Sequence, residues 1–314
     1  MAEVGLIQID GLRKTYDTLV AVDNVSFEVR DGEVFGLLGP NGAGKTTTIN
    51  MICGVLQPDG GSVLVDGRDI WTEPRRVKKD LGVVPQEISV YEDLTARDNL
   101  SFWGSLYGLA GSELSSRIDE SLGRLGLAER AGDKDRTFSG GMKRRLNHCM
   151  GLIHRPRFLL LDEPTVGIDP QARLNILDVI REVAEAGTTV LYTTHYMDEA
   201  EQLCDRIAII DHGRILASGT LDDLTRTAGE AEVLKLGGDF SGKAARDELH
   251  RIDGVRILRA DDASAVLAIE PDGPGLLAVL PKVLEGDLEV DDVSIQQPNL
   301  QNVFIALTGR ELRD

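Results

Sequence analysis

The chain is poor in cysteine, in basic residues and in long apolar runs. Three cysteines, Cys53, Cys149 and Cys204, occur in 314 residues. They lie too far apart for a zinc clip and are odd in number for a disulfide framework, so a reducing cytoplasm is expected. No apolar run approaches the roughly 18–20 residues that a membrane-crossing helix needs. The amino terminus, MAEVGLIQIDG, lacks the basic, apolar, small-residue order of a secretion signal. Any membrane role is therefore expected to come through a partner. With 34 Lys and Arg against 52 Asp and Glu, the formal charge is −18. A surface that acidic repels a phosphate backbone, and no nucleic acid is expected as a partner.

What is present alternates between strand and helix character. EVFGLL, from Glu33 to Leu38, is a short apolar run that stops at a glycine-rich loop and leads into TINMICGVL, which reads as a helix. Phe158–Asp162 and Thr188–Thr194 are continuous apolar or β-branched runs, the pattern of parallel strands covered on both faces. Helical patterns over Gln171–Ala186 and Met197–Cys204 complete an alternation that predicts an open α/β layer structure, with polar groups collected at the carboxyl ends of the strands. LIQIDGL, VAVDNVSFEV and GSVLVDGRDI alternate instead and predict an antiparallel β subdomain. From about Leu94 to Leu152, helical spacing with glycine breaks predicts an inserted helical subdomain. Past residue 220 the order EVLKL, GKAARDELHRI, VRILRA, SAVLAIE, GLLAVLPKVL, LEVDDVSI and NLQNVFIALTG reads β-α-β-β-α-β plus a helix. That order predicts a first domain over 1–220 and a small α+β ferredoxin-like domain over 221–314.

The glycine-rich loop carries the strongest chemical signal. Gly39, Pro40, Asn41, Gly42, Ala43, Gly44, Lys45 and Thr46, followed by Thr47, fit G-x-x-x-x-G-K-[ST] between a strand and a helix. Bare backbone N–H groups at Gly39, Gly42 and Gly44 can approach phosphate oxygens closely, and the helix adds its positive dipole end. Lys45 would reach the β and γ phosphates, and the Thr46 hydroxyl would ligate Mg²⁺.

Further residues turn phosphate binding toward hydrolysis. Asp162 ends an apolar strand, where its carboxylate would meet Mg²⁺, and Glu163, pointing another way, is the candidate base for an attacking water. His195 ends a second buried strand, from which an imidazole would reach the γ-phosphate or the water. Gln86, in VVPQE, is a further candidate Mg²⁺ ligand, and Tyr16, in KTYD, a candidate stacking surface for adenine. Ser139, Gly140 and Gly141 form a second anion cradle, with Ser139 at a helix N-cap position. One nucleotide hardly needs two cradles from one chain, so the second is expected to serve a second copy across a two-fold axis.

In this order, Tyr16, GPNGAGKTT, Gln86, FSGGM, LLLDEP, Gly167-Ile168-Asp169-Pro170 and His195 resemble the motif set of the ATP-binding cassette family, over about residues 4–220. The resemblance implies an α/β P-loop NTPase (RecA-like) domain with its helical subdomain over about 87–152. It also implies ATP and Mg²⁺ as ligands, ATP hydrolysis as the activity, and Asp169 beside the nucleotide. A homodimer is implied, sandwiching two ATP molecules, with Ser139 of one copy closing over the other copy's γ-phosphate. Phe138 and Met142 stand where the family usually has leucine and often glutamine, and both leave the Ser-Gly-Gly cradle intact. THYMDEAEQLCDRIAIIDHGRILASGT and PNLQNVFIALTGREL further resemble the ATPase subunits of type 2 exporters, such as daunorubicin-type drug efflux and sodium export systems, which often carry an appended carboxyl-terminal domain. Such a subunit sits on the cytoplasmic face of the cell membrane and powers a separate integral membrane subunit. The contact is expected over about 87–108, where Val90, Tyr91, Leu94, Phe102, Trp103, Leu106 and Tyr107 are candidates to line a partner groove.

Two other readings are weighed against this. A soluble cassette acting as a switch on ribosomes or DNA usually fuses two cassettes or carries a coiled-coil arm, and a basic surface would be expected of it. A small-molecule kinase using the same loop would need an acceptor site and has no use for the second cradle.

Overall fold

The computed structural model describes residues 7–227, 233–269, 275–286, 288–296 and 299–308. They divide into two compact units between Ala217 and Ser218. In the first unit, β1 (Ile7–Tyr16) and β2 (Leu19–Val29) form a hairpin, followed by β3 (Val34–Leu38), α1 (Lys45–Ile52), β4 (Gly60–Val65), β5 (Arg68–Asp69), α2 (Pro74–Lys79) and β6 (Leu81–Val84). Three longer helices come next, α3 (Ala96–Leu106), α4 (Gly111–Arg124) and α5 (Gly140–Leu152). The unit then alternates through β7 (Phe158–Asp162), α6 (Pro170–Glu185), β8 (Thr189–Thr194), α7 (Met197–Leu203) and β9 (Arg206–Asp211), and the boundary falls within the strand that follows, β10 (Arg214–Gly219).

A six-stranded sheet has the order β10-β9-β3-β8-β7-β6, and β9, β3, β8, β7 and β6 pair in parallel. Every residue of β3, β7 and β8 is buried, which is why these strands are apolar without alternation. One face of the sheet packs with Ile7, Leu12, Val25, Val63 and Ile49 of the β subdomain and α1. The other packs with α3 to α6 through Leu100, Ile118, Leu146 and Ile176. The β subdomain is antiparallel, in the order β2-β1-β4-β5. Three strands of the main sheet, β6, β9 and β10, were not foreseen from sequence.

The second unit contains α8 (Leu221–Thr227), β11 (Val233–Asp239), α9 (Gly242–Leu249), β12 (Val255–Asp261), β13 (Ser264–Ile269), α10 (Leu276–Leu284), β14 (Glu289–Gln296) and α11 (Leu300–Thr308). Its antiparallel sheet runs β12-β13-β11-β14, the ferredoxin-like arrangement, around Leu234, Leu236, Leu249, Leu267 and Val279. Leu6, Glu232, Glu270, Pro298 and residues 309–312, which the sequence reading placed in or beside elements or motifs, lie outside the described residues. No helix among the described residues is long and apolar enough to cross a membrane.

Candidate nucleotide-binding site

The parallel strands place Gly39, Glu163 and His195 together, because all three follow directly on the carboxyl ends of β3, β7 and β8. The tips are laced together: Gly39 N–H donates to Thr194 O at 3.2 Å, and Glu163 N–H donates to Thr193 O at 3.2 Å and to Thr193 Oγ1 at 3.0 Å.

The glycines of the loop have different reasons to be glycine. A Cβ on Gly39 would lie 2.2 Å from Ile210 O of β9, and one on Gly44 would lie 2.5 Å from Ala21 O of β2, with φ at +105°. Gly42 has φ +80° with open space on its Cβ side. Close packing under the loop, and not only approach to a phosphate, therefore dictates two of the three. Gly44→Ala is expected to cost roughly 1–3 kcal/mol of stability, seen as a lower urea midpoint; an unchanged midpoint would contradict the packing.

Lys45 is buried beneath the loop. Its Nζ donates to Gly39 O at 2.6 Å and Pro40 O at 2.9 Å, and lies 2.9 Å from Glu163 Oε1. Glu163 departs from the strand pleat expected to turn it away from Asp162: it lies beyond β7 in the left-handed region, with φ +45°. Its Oε2 accepts from Gln86 Nε2 at 3.2 Å, and its Oε1 stands 3.4 Å from His195 Nδ1. Burial alone would raise this carboxyl, but His195 and Lys45 outweigh it and hold it at about 2. Asp162 is held the other way. Burial raises it, against hydrogen bonds from the Thr193 hydroxyl, at 2.7 Å, and the Thr46 hydroxyl. Asp162 and Thr46 thus present the hard oxygen donors that Mg²⁺ prefers. Gln86, as oriented, gives its amide nitrogen to Glu163.

Of these groups Lys45, Thr46, Gln86 and Glu163 open onto a cleft of about 510 Å³, lined also by Tyr16, Val20, Asn41, Gly42, Gly44 and Thr47; Asp162 and His195 lie beside it but not among its lining residues. Tyr16 is 45% exposed at the end of β1. Pro40 and Ala43 lie in the same loop, and Ala43 O accepts from Gly213 N–H at 3.0 Å. His212 and Gly213, in the turn after β9, also line the cleft and carried no sequence signal.

Ser139, Gly140 and Gly141 are not among that cleft's lining residues. Ser139 Oγ caps α5 by accepting from Met142 N–H at 3.3 Å; Ser139 and Gly140 are exposed, and the Cβ side of Gly140 is open. The neighbour of Gly141 is Asp169 of the same chain, 3.9 Å from where its Cβ would stand. Asp169 itself caps α6, its Oδ1 accepting from Ala172 N–H at 2.9 Å.

Several residues around the site escaped the sequence reading. Arg144, Asn147 and His148 fall at i, i+3 and i+4 on α5, and all are buried. The Arg144 guanidinium donates to Pro85 O, Gln86 O and Val166 O, Asn147 Nδ2 donates to Pro85 O, and His148 Nε2 lies 3.1 Å from Pro164 O. One helix face thus grips both the Gln86 loop and the segment after Glu163. Burial depresses His148 to about 4, which keeps it a neutral strut. The signal available was polar residues at helical spacing on a face that otherwise reads as apolar.

A strand, a glycine loop and a helix, with carboxylates at the neighbouring strand tip, define a P-loop nucleotide-binding protein. Comparison with known proteins gives the class more closely. Residues 22–166 match the family described as ABC transporter. The linearmycin resistance ATP-binding protein of Bacillus subtilis is 43% identical over 98% of this chain and 100% of its own length. The daunorubicin/doxorubicin resistance ATP-binding protein of Streptomyces peucetius is 41% identical over 98% of this chain and 94% of its own. The Nod factor export ATP-binding protein I of Ralstonia nicotianae is 38% identical over 98% and 95%. Among solved structures, the ATP-binding subunit of an ABC transporter superposes with a TM-score of 0.66 at 32% identity, covering 71% of this chain and 92% of that one. A dimeric post-hydrolysis ATP-binding cassette bound to ADP and Pi gives 0.64 at 26% identity, covering 68% and 98%. The chain belongs to the ABC transporter family, as an ATP-binding and ATP-hydrolysing subunit.

Proposed function

We propose that this chain powers export of a small molecule through a separate integral membrane subunit, by closing and reopening a homodimer around two ATP molecules. The observation that carries the reading is the separation of the two glycine-lined anion seats. Lys45 and Gly42 open onto one cleft, while exposed Ser139 and Gly140 stand outside it, available to a second copy. Export, rather than uptake, rests on the drug-resistance and Nod factor export relatives.

Within the sandwich, Gly42 and Gly44 would present backbone N–H groups to the phosphates, and Tyr16 would stack on adenine. Lys45 would turn its ammonium from Glu163 to the β and γ phosphates. That move removes the nearest cation from Glu163, so its carboxyl rises from about 2 toward a value better suited to accepting a proton from water. His195 would hold the γ-phosphate or the attacking water, and Asp169 would lie at the dimer interface. Thr46, Asp162 and Gln86 would hold Mg²⁺, which supplies charge stabilisation at the phosphates when bound.

The surface over 87–108 would receive the membrane subunit on the cytoplasmic face. Tyr91 at 48%, Phe102 at 42% and Leu106 at 63% exposure form its apolar part, with Tyr91 and Phe102 edge to face at 5.3 Å. Leu94 is exposed beside them, whereas Val90 and Trp103 are half-buried against the core and Tyr107, also half-buried, stacks on His154 at 3.5 Å, so these three would offer a partner only part of their surface. Isolating the chain from its native membranes tests the proposal. A stoichiometric multi-span subunit is expected, lost when Tyr91 and Phe102 are both changed to Asp; recovery with ribosomes or DNA instead would overturn it.

A further inference from the structure

The described residues contain a fully buried carboxylate that the reading above leaves unused. Glu199, on α7, is 0% exposed. Its Oε1 accepts from Thr165 Oγ1 at 2.5 Å and lies 2.6 Å from Arg173 Nε; its Oε2 accepts from Tyr192 Oη and Thr194 Oγ1, each at 2.7 Å. A charge taken wholly out of water persists only where donors surround it, and here four donors do so.

Each donor comes from a segment that carries a site residue. Thr165 is two residues beyond Glu163. Arg173 is on α6, the helix capped by Asp169. Thr194 directly precedes His195, and its hydroxyl oxygen also accepts from Tyr196 N–H at 2.9 Å, closing the turn on which His195 stands. Arg173 reinforces this from the other side: its guanidinium lies over the Tyr196 ring at 4.7 Å, and that ring packs on His195 at 4.0 Å. A second arm of Arg173 pairs with Asp198 at 2.7 Å.

We propose that Glu199 is a positioning residue for ATP hydrolysis, fixing the His195 turn and the Asp169 helix relative to Glu163 through its hydrogen bonds to Thr165 and Thr194 and its ion pair with Arg173. Both of its oxygens are taken up by protein donors, and it acts only through the groups it aligns. The proposal rests on the assignment of hydrolysis to Glu163 and His195. Ordering three segments on one carboxylate ties the dimer-facing loop to the chemistry, because Asp169 cannot shift without pulling on Arg173, and Arg173 not without moving Tyr196 against His195. A misplacement on the order of 1 Å is enough to cost roughly a hundredfold in rate.

The test uses the full chain and measures MgATP hydrolysis, binding of a fluorescent ATP analogue and the unfolding midpoint. Glu199→Gln keeps shape and some hydrogen bonding but loses the charge that orders Arg173. It is expected to lower kcat roughly ten- to a hundredfold, with analogue affinity and KM within about twofold of wild type. Arg173→Met leaves the buried Glu199 carboxylate without its cation and so should lower the unfolding midpoint; assayed well below that midpoint, it is expected to give the same split of kcat from KM. The double variant is expected to lose no more than the worse single variant, since both break one unit. Glu199→Asp should recover part of kcat. Losses of kcat that track the unfolding midpoint, or that multiply in the double variant, would overturn the positioning role, as would normal turnover in folded Glu199→Gln. Glu163→Gln, run beside these, separates the two readings: normal turnover there refutes the assignment of the base, whereas a stalled Glu163→Gln with a normal Glu199→Gln refutes only the role of Glu199.

Discussion

Glu163→Gln is expected to slow MgATP hydrolysis by roughly 10²- to 10⁴-fold, the range a positioned general base contributes. Shape is conserved, Lys45 keeps its bonds to Gly39 O and Pro40 O, and Gln86 keeps a neighbouring oxygen. Binding should therefore survive. Removing the carboxylate also frees Lys45 from its 2.9 Å ion pair, so affinity for ATP should be unchanged or higher. With reopening blocked, a nucleotide-dependent dimer should accumulate, visible as a doubled mass by light scattering with MgATP. Turnover at the wild-type rate would remove Glu163 from its role.

Lys45→Ala carries the second large effect, and it acts twice. The phosphates lose their ammonium, so affinity for ATP should fall by roughly 10- to 100-fold or more, as for a charge-assisted contact of about 1.5–3 kcal/mol. The protein also loses the partner of a buried carboxylate, since both side chains are only 4% exposed. Breaking such a pair costs about 3–5 kcal/mol, reduced here by His195, which stands 3.4 Å away. The sign with pH follows from Glu163. In the wild type its carboxyl is depressed to about 2 from an ordinary 4.5. The stability it contributes is therefore present above pH 4.5 and is lost as pH falls from there through about 2. Without Lys45 the depression is weaker, with His195 alone opposing burial, so the variant's deficit should be full above pH 4.5 and shrink as pH falls from there toward about 2. Urea unfolding at pH 7 and at about pH 3 reads this; an equal deficit at both values, with unchanged affinity, would contradict the ion pair's importance.

Much of this was legible because the chemistry sits where local rules are strict. The glycine loop needs its residue types whatever surrounds it, and β3, β7 and β8, buried on both faces, betray themselves by unbroken apolar runs. The weaker elements were set by tertiary context. β6 is only Leu81–Val84 with a glycine inside it, and a Cβ on Gly82 would lie 2.4 Å from Gly151 O, a contact no local pattern announces. β9 is buried at five of six positions, but it stands against a polar hairpin that reads as surface. Arg144 and Glu199 were missed for the same reason. Each is charged and would be placed in solvent by default, yet each is buried because backbone carbonyls or hydroxyls from distant segments converge on it. The loop glycines show the converse, since the pattern was visible while the packing reason for Gly39 and Gly44 was not.

The pairing of two copies is tested most directly by a disulfide between the two anion seats. Cysteine placed at Asn41 and at Ser139, both exposed, in the Glu163→Gln background gives a full chain with one thiol at each seat. Native thiols interfere little: Cys53 and Cys149 are buried, with Cys149 pushed up to about 12, and burial raises Cys204 further. Under mild oxidant, a covalent dimer should form with MgATP, fail to form without nucleotide, and be absent from either single-cysteine variant. A pair that never crosslinks with MgATP, or crosslinks equally without it, would contradict closure of Ser139 over the partner's phosphate loop.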